Sequence, residues 1–137
     1  NENFMALFYY LPILLLLMAN NVFGEALIPC CFSPRTGFYR DGYCQTDEQD
    51  TALHTVCAVM TEEFLNFSLA TGNDLITPRP EFNFPGLKPG DKWCICLTRW
   101  LHAYQENKAP GVLLEATHEQ TLELIRLEEL VKFAVKN

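Results

Sequence analysis

Apolar and polar positions fall into blocks with different periods along this chain. Residues 4–19 are an unbroken uncharged apolar run with Pro12 in its middle. Residues 20–34 alternate, with Val22, Ala26 and Ile28 apolar and prolines at 29 and 34, which predicts an edge strand or extended arm. Ser33-Pro34-Arg35-Thr36-Gly37 and Arg40-Asp41-Gly42 are turn chemistry, and residues 46–50 form a polar, acidic loop. His54-Thr55-Val56-Cys57-Ala58-Val59-Met60 is β-branched and apolar on both faces, the pattern of a buried strand. Thr61 is then placed to cap a helix through its hydroxyl. Glu62 and Glu63 fall in the first turn, where the helix dipole favours anions. Phe64, Leu65, Phe67 and Leu69 supply the apolar face, and Gly72 supplies the stop.

Residues 73–91 hold prolines at 78, 80, 85 and 89 with Gly86 and Gly90 among them. Neither a helix nor a central strand tolerates that density of proline, so a long loop is expected. Phe82, Phe84 and Leu87 are large and apolar, and the loop is expected to pack down on them. Asp91 is expected to cap the next helix. Trp93, Leu97, Trp100, Leu101 and Tyr104 form its stripe, to about Asn107. Ala109-Pro110-Gly111 breaks the pattern. Residues 112–117 predict a second strand, 117–119 a short helical turn and 127–135 a closing helix. Short strands and helices without regular βαβ alternation give α+β: a single small domain with a short sheet, two or three helices and a long Pro/Gly-rich loop.

A length of 137 residues suits one domain, expected at 18–137, behind an apolar leader at 1–17. Three readings of the leader stand: a signal-like segment, a membrane anchor, or non-native sequence upstream of a start at Met18. The run is short for a spanning helix, and Glu2, its only charge, is the wrong sign for a signal's first region. A start at Met18 implies a cytoplasmic protein. The other readings imply export, or anchoring through residues 4–19. Net charge is −7, and Arg35, Arg40, Arg79, Lys88, Lys92 and Arg99 are scattered. No basic stripe exists to displace counterions, so nucleic acid is excluded as a partner and a small molecule or a protein is expected. A membrane enters only if the leader is a retained anchor.

Six cysteines, at 30, 31, 44, 57, 94 and 96, read as disulfides in an exported domain and as thiols or ligands in a reducing one. No cofactor is expected; zinc is the alternative, with Cys44, His54, Cys57, Cys94, Cys96 and His118 as candidate ligands. Only His54-x-x-Cys57 approaches chelate spacing, and Cys94-x-Cys96 is one residue too tight. For thiol catalysis the candidates are Cys94, in the first turn of a helix capped by Asp91, and His118 or His54 as base. The leading site is a polar pocket built by loops, from Arg40, Asp41, Asn73, Asp74, Arg79, Glu81 and His118. Its arginines suit a carboxylate or phosphate. The function read from these residues is an intracellular binding or interaction domain for a small polar or anionic ligand. A Cys/His-dependent enzyme or a metal-binding domain is the alternative. Phosphate-loop, dinucleotide and nucleophile-elbow motifs are all missing.

Several segments together resemble one bacterial family. They are Thr36-Gly-Phe-Tyr-Arg-Asp-Gly42, His54-Thr-Val-Cys-Ala-Val-Met-Thr61, Gly72-Asn-Asp-Leu75 and Thr77-Pro-Arg-Pro-Glu81. Phe84-Pro-Gly-Leu87, Pro89-Gly-Asp91, Trp93-Cys-Ile-Cys96 and Glu115-Ala-Thr-His118 complete the set. The family is the uncharacterised one known as domain of unknown function 2237. The resemblance spans nearly all of residues 20–137 and implies one domain without implying an activity. The chain departs from the family pattern at Tyr43, where a second cysteine often precedes the one at 44.

Overall fold

The computed structural model describes residues 18–136. Residues 1–17, read above as a leader, lie outside that range. Two antiparallel strands organise the rest: β1 (Val56–Val59) and β2 (Lys92–Ile95). Their register pairs Val56 with Ile95, Cys57 with Cys94, Ala58 with Trp93 and Val59 with Lys92. Helix α1 (Glu62–Ala70) follows β1, and α2 (Leu97–Gln105) follows β2. A short α3 (Leu127–Leu130) comes near the end of the chain. The domain is therefore α+β, with one two-stranded sheet and three helices among the described residues. None of these helices is long and apolar enough to cross a membrane.

β1 is apolar on both faces because both are covered. Val56, Cys57 and Ala58 are fully buried, between the α1–α2 layer and the N-terminal arm. α1 starts where the sequence predicts. The Thr61 hydroxyl accepts a hydrogen bond from the Phe64 amide at 3.0 Å, satisfying one orphan donor of the first turn. Gly72 has φ +92 and follows the last turn. Phe64 and Leu65 then face Trp100, Leu97 and Ala103 of α2 across the main core. Trp100 is the largest fully buried side chain among the described residues; its indole N–H donates to the Pro110 carbonyl at 3.2 Å, and its ring stacks on Tyr104 with Phe133 at its edge.

Four predicted elements differ from the observed ones. The helix expected from Asp91 begins only at Leu97, because residues 92–95 pair with β1 as a strand. Asp91 caps nothing helical: its carboxylate accepts from the Lys88 amide at 2.8 Å and closes the turn that feeds β2. The strand expected at 112–117 is reduced to single bridges, Val112 to Ala58 and Val112 to Ala134, and gives way to a 3-10 turn at Leu114–Ala116. The closing helix stops at Leu130 and tightens into a 3-10 turn, Val131–Phe133, because Val135 returns to bond Val112. In the long loop, Phe84 and Leu87 pack down as expected, but Phe82 is 67% exposed. Phe82 sits on a 3-10 turn, Pro80–Phe82, bulging from the bridge between Arg79 and Phe84.

The arm is extended, as the alternation predicts. Asn21, 1% exposed, clamps it. Its side-chain carbonyl accepts from the Phe23 and Glu25 amides, and its side-chain amide donates to the Glu115 carbonyl. Two disulfides tie the arm and the next loop to the sheet: Cys30–Cys57 and Cys44–Cys94.

Candidate functional site

Trp93 projects from β2 next to the loop at 37–42. Arg40 reaches over it, with the guanidinium carbon 4.9 Å from the ring centroid. The turn that delivers Arg40 holds it at φ +55, a left-handed conformation that costs a non-glycine residue about 1 kcal/mol or more. Its Nη1 donates to the Gly37 carbonyl at 2.8 Å, fixing the fork over the indole. Burial draws the Arg40 pKa down from its usual value, yet an arginine stays charged at neutral pH. Phe84 meets the same indole edge-on, at 5.3 Å between centroids.

His54 stands beside this pair. Its Nδ1 lies 2.7 Å from Oδ1 of Asp50, whose side chain is fully buried. The other carboxylate oxygen accepts from the His54 backbone amide at 2.8 Å. Asp50 thus holds His54 by both ring and backbone and leaves Nε2 as the ring nitrogen it does not engage. Phe38 stacks on the imidazole, 6.0 Å between centroids.

These side chains wall two adjoining hollows that share His54, Trp93 and Cys94. The first, about 380 Å³, is completed by Gly37, Phe38, Arg40 and Phe82. The second, about 200 Å³, is completed by Asn73, Leu75, Cys96 and Arg99, with Ala52 and Ile95. Arg40 thus lines one hollow of this groove, Asn73 and Arg99 the other, and His54 and Trp93 stand in the wall common to both. Larger hollows exist. One of about 470 Å³ runs along the outer face of α1 past Glu62, Glu63 and Phe67 to Lys108, but it gathers the solvated face of a single helix.

Of the residues predicted to form the loop pocket, the groove gathers Arg40 and Asn73. Asp41 closes its own turn, accepting from the Tyr43 amide at 3.0 Å. Asp74 does likewise for Ile76 and Thr77; the Thr77 hydroxyl, then the two amides, lower its pKa below the usual carboxylate value. Arg79 and Glu81 form an exposed pair at 4.0 Å. His118 does not line the groove. It caps the turn Glu119–Glu123, its Nδ1 accepting from the Gln120 amide at 3.0 Å, while its own amide donates to the Thr55 carbonyl. Burial lowers its pKa, opposed by Glu119 and Glu123. Trp93, Arg99, Asp50 and Phe38 are groove or support residues that the sequence did not single out as a site. The adjacency of His54 to a polar loop holding Asp50 was the one available signal.

The cysteine candidates separate into two groups. Cys94 lies on a strand, not in a first helical turn, and its sulfur is bonded to Cys44. Cys57 is bonded to Cys30. Cys31 and Cys96 are free and half-buried, and Cys96 Sγ lies 3.2 Å from the Thr98 hydroxyl. The sulfurs of Cys30, Cys44 and Cys57 all lie within 4.8 Å of one another, a spacing that suits a metal ion. Neither His54 nor His118 joins them.

The groove is thus assembled by loops around one indole, on a small disulfide-tied α+β scaffold. The chain belongs to the DUF2237 family, described as an uncharacterised protein conserved in bacteria, whose model matches residues 20–134. No curated protein matches it.

Proposed function

We propose that this domain binds a small polar or anionic molecule in the groove over Trp93. The observation that carries the reading is that two hollows, one lined by Arg40 and the other by Asn73 and Arg99, share His54 and Trp93 in their walls. Arg40 is prepaid: its strained backbone and its bond to Gly37 preorganise the guanidinium, so little ordering remains on binding. Arg99 is similarly tethered, donating to the Thr71 carbonyl at 2.9 Å. Net charge of −7 supports a small partner over nucleic acid. The two disulfides support an oxidising compartment as its place of action, which favours the exported alternative over the cytoplasmic one.

The test uses the chain's two tryptophans. In a titration followed by NMR with phosphate, sulfate, malate and citrate, the signal of Trp93, which walls both hollows, shifts and that of Trp100, which lines neither, does not. Arg40→Gln and Arg99→Gln each weaken binding about tenfold, the loss of one charge-assisted hydrogen bond. A Trp93 signal unmoved by all four anions overturns the reading.

A second reading, thiol chemistry, is favoured by Cys96 and His54 lining one hollow while Asp50 orients the imidazole. It predicts that iodoacetamide modifies Cys96 faster than Cys31 and that His54→Gln abolishes the difference. Equal rates in the native chain remove it.

A further inference from the structure

We infer that Cys30, Cys44, Cys57 and Cys94 form a second site, which shares only Cys94 with the wall of the groove: a tetrathiolate centre that holds one Zn²⁺ when the two disulfides are reduced. The four residues come from four segments: the arm, the loop after Gly42, β1 and β2. The strand register alone sets Cys57 opposite Cys94, and each then reaches outward to a different partner. The two bridges consequently lie side by side. Sulfurs belonging to both of them, those of Cys30, Cys44 and Cys57, are within 4.8 Å of one another. Tetrahedral zinc with Zn–S near 2.3 Å needs sulfurs about 3.8 Å apart. The Cys94 sulfur lies outside that close group, bonded to Cys44; opening the bridges frees it to turn in as the fourth ligand.

The surroundings suit the ion. All four cysteines are at most 4% exposed, packed with Leu113 and Ala116. Water is thereby kept from the sulfurs. Four separate thiolates would be costly in such a site, and a divalent cation removes most of that cost. The cysteine backbones have anchors besides the sulfurs. The Cys57 amide donates to the Thr117 hydroxyl at 3.1 Å, the Cys94 amide to the Thr36 hydroxyl at 2.8 Å, and the Cys30 amide to the Gly42 carbonyl at 2.8 Å. These bonds fix three of the four backbones in either redox state.

The conversion balances. Two dithiol molecules each deliver two electrons and two protons to one bridge and leave as disulfides. Zn²⁺ then displaces the four thiol protons. In the reverse direction, two low-molecular-weight disulfides accept the four electrons by thiol–disulfide exchange, the bridges re-form and the ion is released.

The experiment reduces the full chain with a phosphine under anaerobic conditions, removes the phosphine, and adds one equivalent of Zn²⁺ or Co²⁺. The expected result is one bound metal by native mass spectrometry and, with cobalt, the visible bands and sulfur-to-metal charge transfer of a tetrahedral thiolate site. Alkylation read peptide by peptide then shows Cys30, Cys44, Cys57 and Cys94 protected by zinc, with Cys31 and Cys96 labelled as before. Because this readout is made on the unsubstituted chain, it does not depend on cysteine variants folding. Cys31→Ser and Cys96→Ser are expected to retain the metal. Failure of the reduced chain to bind zinc, equal labelling of all six thiols with and without it, or loss of the metal in Cys96→Ser each overturns the inference. The anion titration with the oxidised chain is unaffected by any of these outcomes.

Discussion

Thr117 and Thr36 occupy core positions where an apolar residue would ordinarily stand. Both are fully buried, and each hydroxyl receives the amide of a strand cysteine; Thr117 also donates to the Leu113 carbonyl at 2.9 Å. Thr117→Val preserves shape and removes both partners. It leaves a buried N–H and a buried carbonyl one bond short, and we expect a loss of about 1–3 kcal/mol by urea denaturation. A loss below 0.5 kcal/mol would show that water or a backbone shift takes over the bonds. His118 contributes a pH dependence near neutrality. Its folded-state pKa lies below that of the unfolded chain, near 6.5, so the unfolded chain takes up the proton first as pH falls. Stability is therefore flat above about pH 6.5 and declines below it, until the pH has passed the depressed folded value. His118→Asn keeps a capping acceptor but cannot titrate. Thermal midpoints of the two chains should run parallel above pH 7 and diverge below 6.5, with the variant less sensitive.

The elements were legible where one signal dominated. Thr61, Glu62, Glu63 and Gly72 bound a helix in sequence and in structure alike, because capping is local chemistry. β1 was legible because a run apolar on both faces needs cover on both. β2 was not. Trp93 continues the spacing of Leu97, Trp100, Leu101 and Tyr104, and a four-residue strand is too short to break that pattern by itself. Only pairing with β1 makes residues 92–95 extended, and pairing is a long-range fact. The same shift moved Cys94 from a helix terminus to a strand. The long loop was legible from its prolines, but its packing was only half so: Leu87 is buried because its amide donates to the Leu75 carbonyl at 2.8 Å, whereas Phe82 is carried outward on its turn. That loop closes on Gly86, which has φ +77 and whose Cβ, if present, would strike the Ile76 carbonyl. Gly86→Ala is expected to cost about 1–3 kcal/mol, read as a lowered thermal midpoint. A midpoint within a degree of the parent would mean that the loop is not held where Leu75 meets Leu87.

On the scale of the whole molecule, the groove depends on contacts between residues far apart in sequence. Arg40 and Trp93 are brought together by a turn and a strand, and the Cys44–Cys94 bridge, with a sequence separation of 50, joins the same two regions. This is why sequence reading grouped Arg40 and Asn73 with Asp41 and Asp74, which close their own turns, and with Arg79 and Glu81, which pair with each other at the surface. Closing loops of these lengths restricts the unfolded chain by roughly 3.5–4 kcal/mol per bridge in the chain-entropy account. Reduction with a chelator present should therefore lower the thermal midpoint by many degrees, and reduction with zinc present should restore much of it. A midpoint unchanged by reduction would mean that the bridges contribute little.

The threonine bonds described at the strands carry one further consequence, for amide hydrogen exchange. The sheet has only four residue pairs, so its ladder alone protects few amides. The amides of Cys57, Cys94 and Val22 are held instead by Thr117 or Thr36, from outside any regular element. In deuterated buffer the last protons to leave should be these, together with those of α2 around Trp100. The map of slow exchange would then follow the seam between arm, loop and sheet, not the secondary structure, and the cooperative unit of this domain would be that seam.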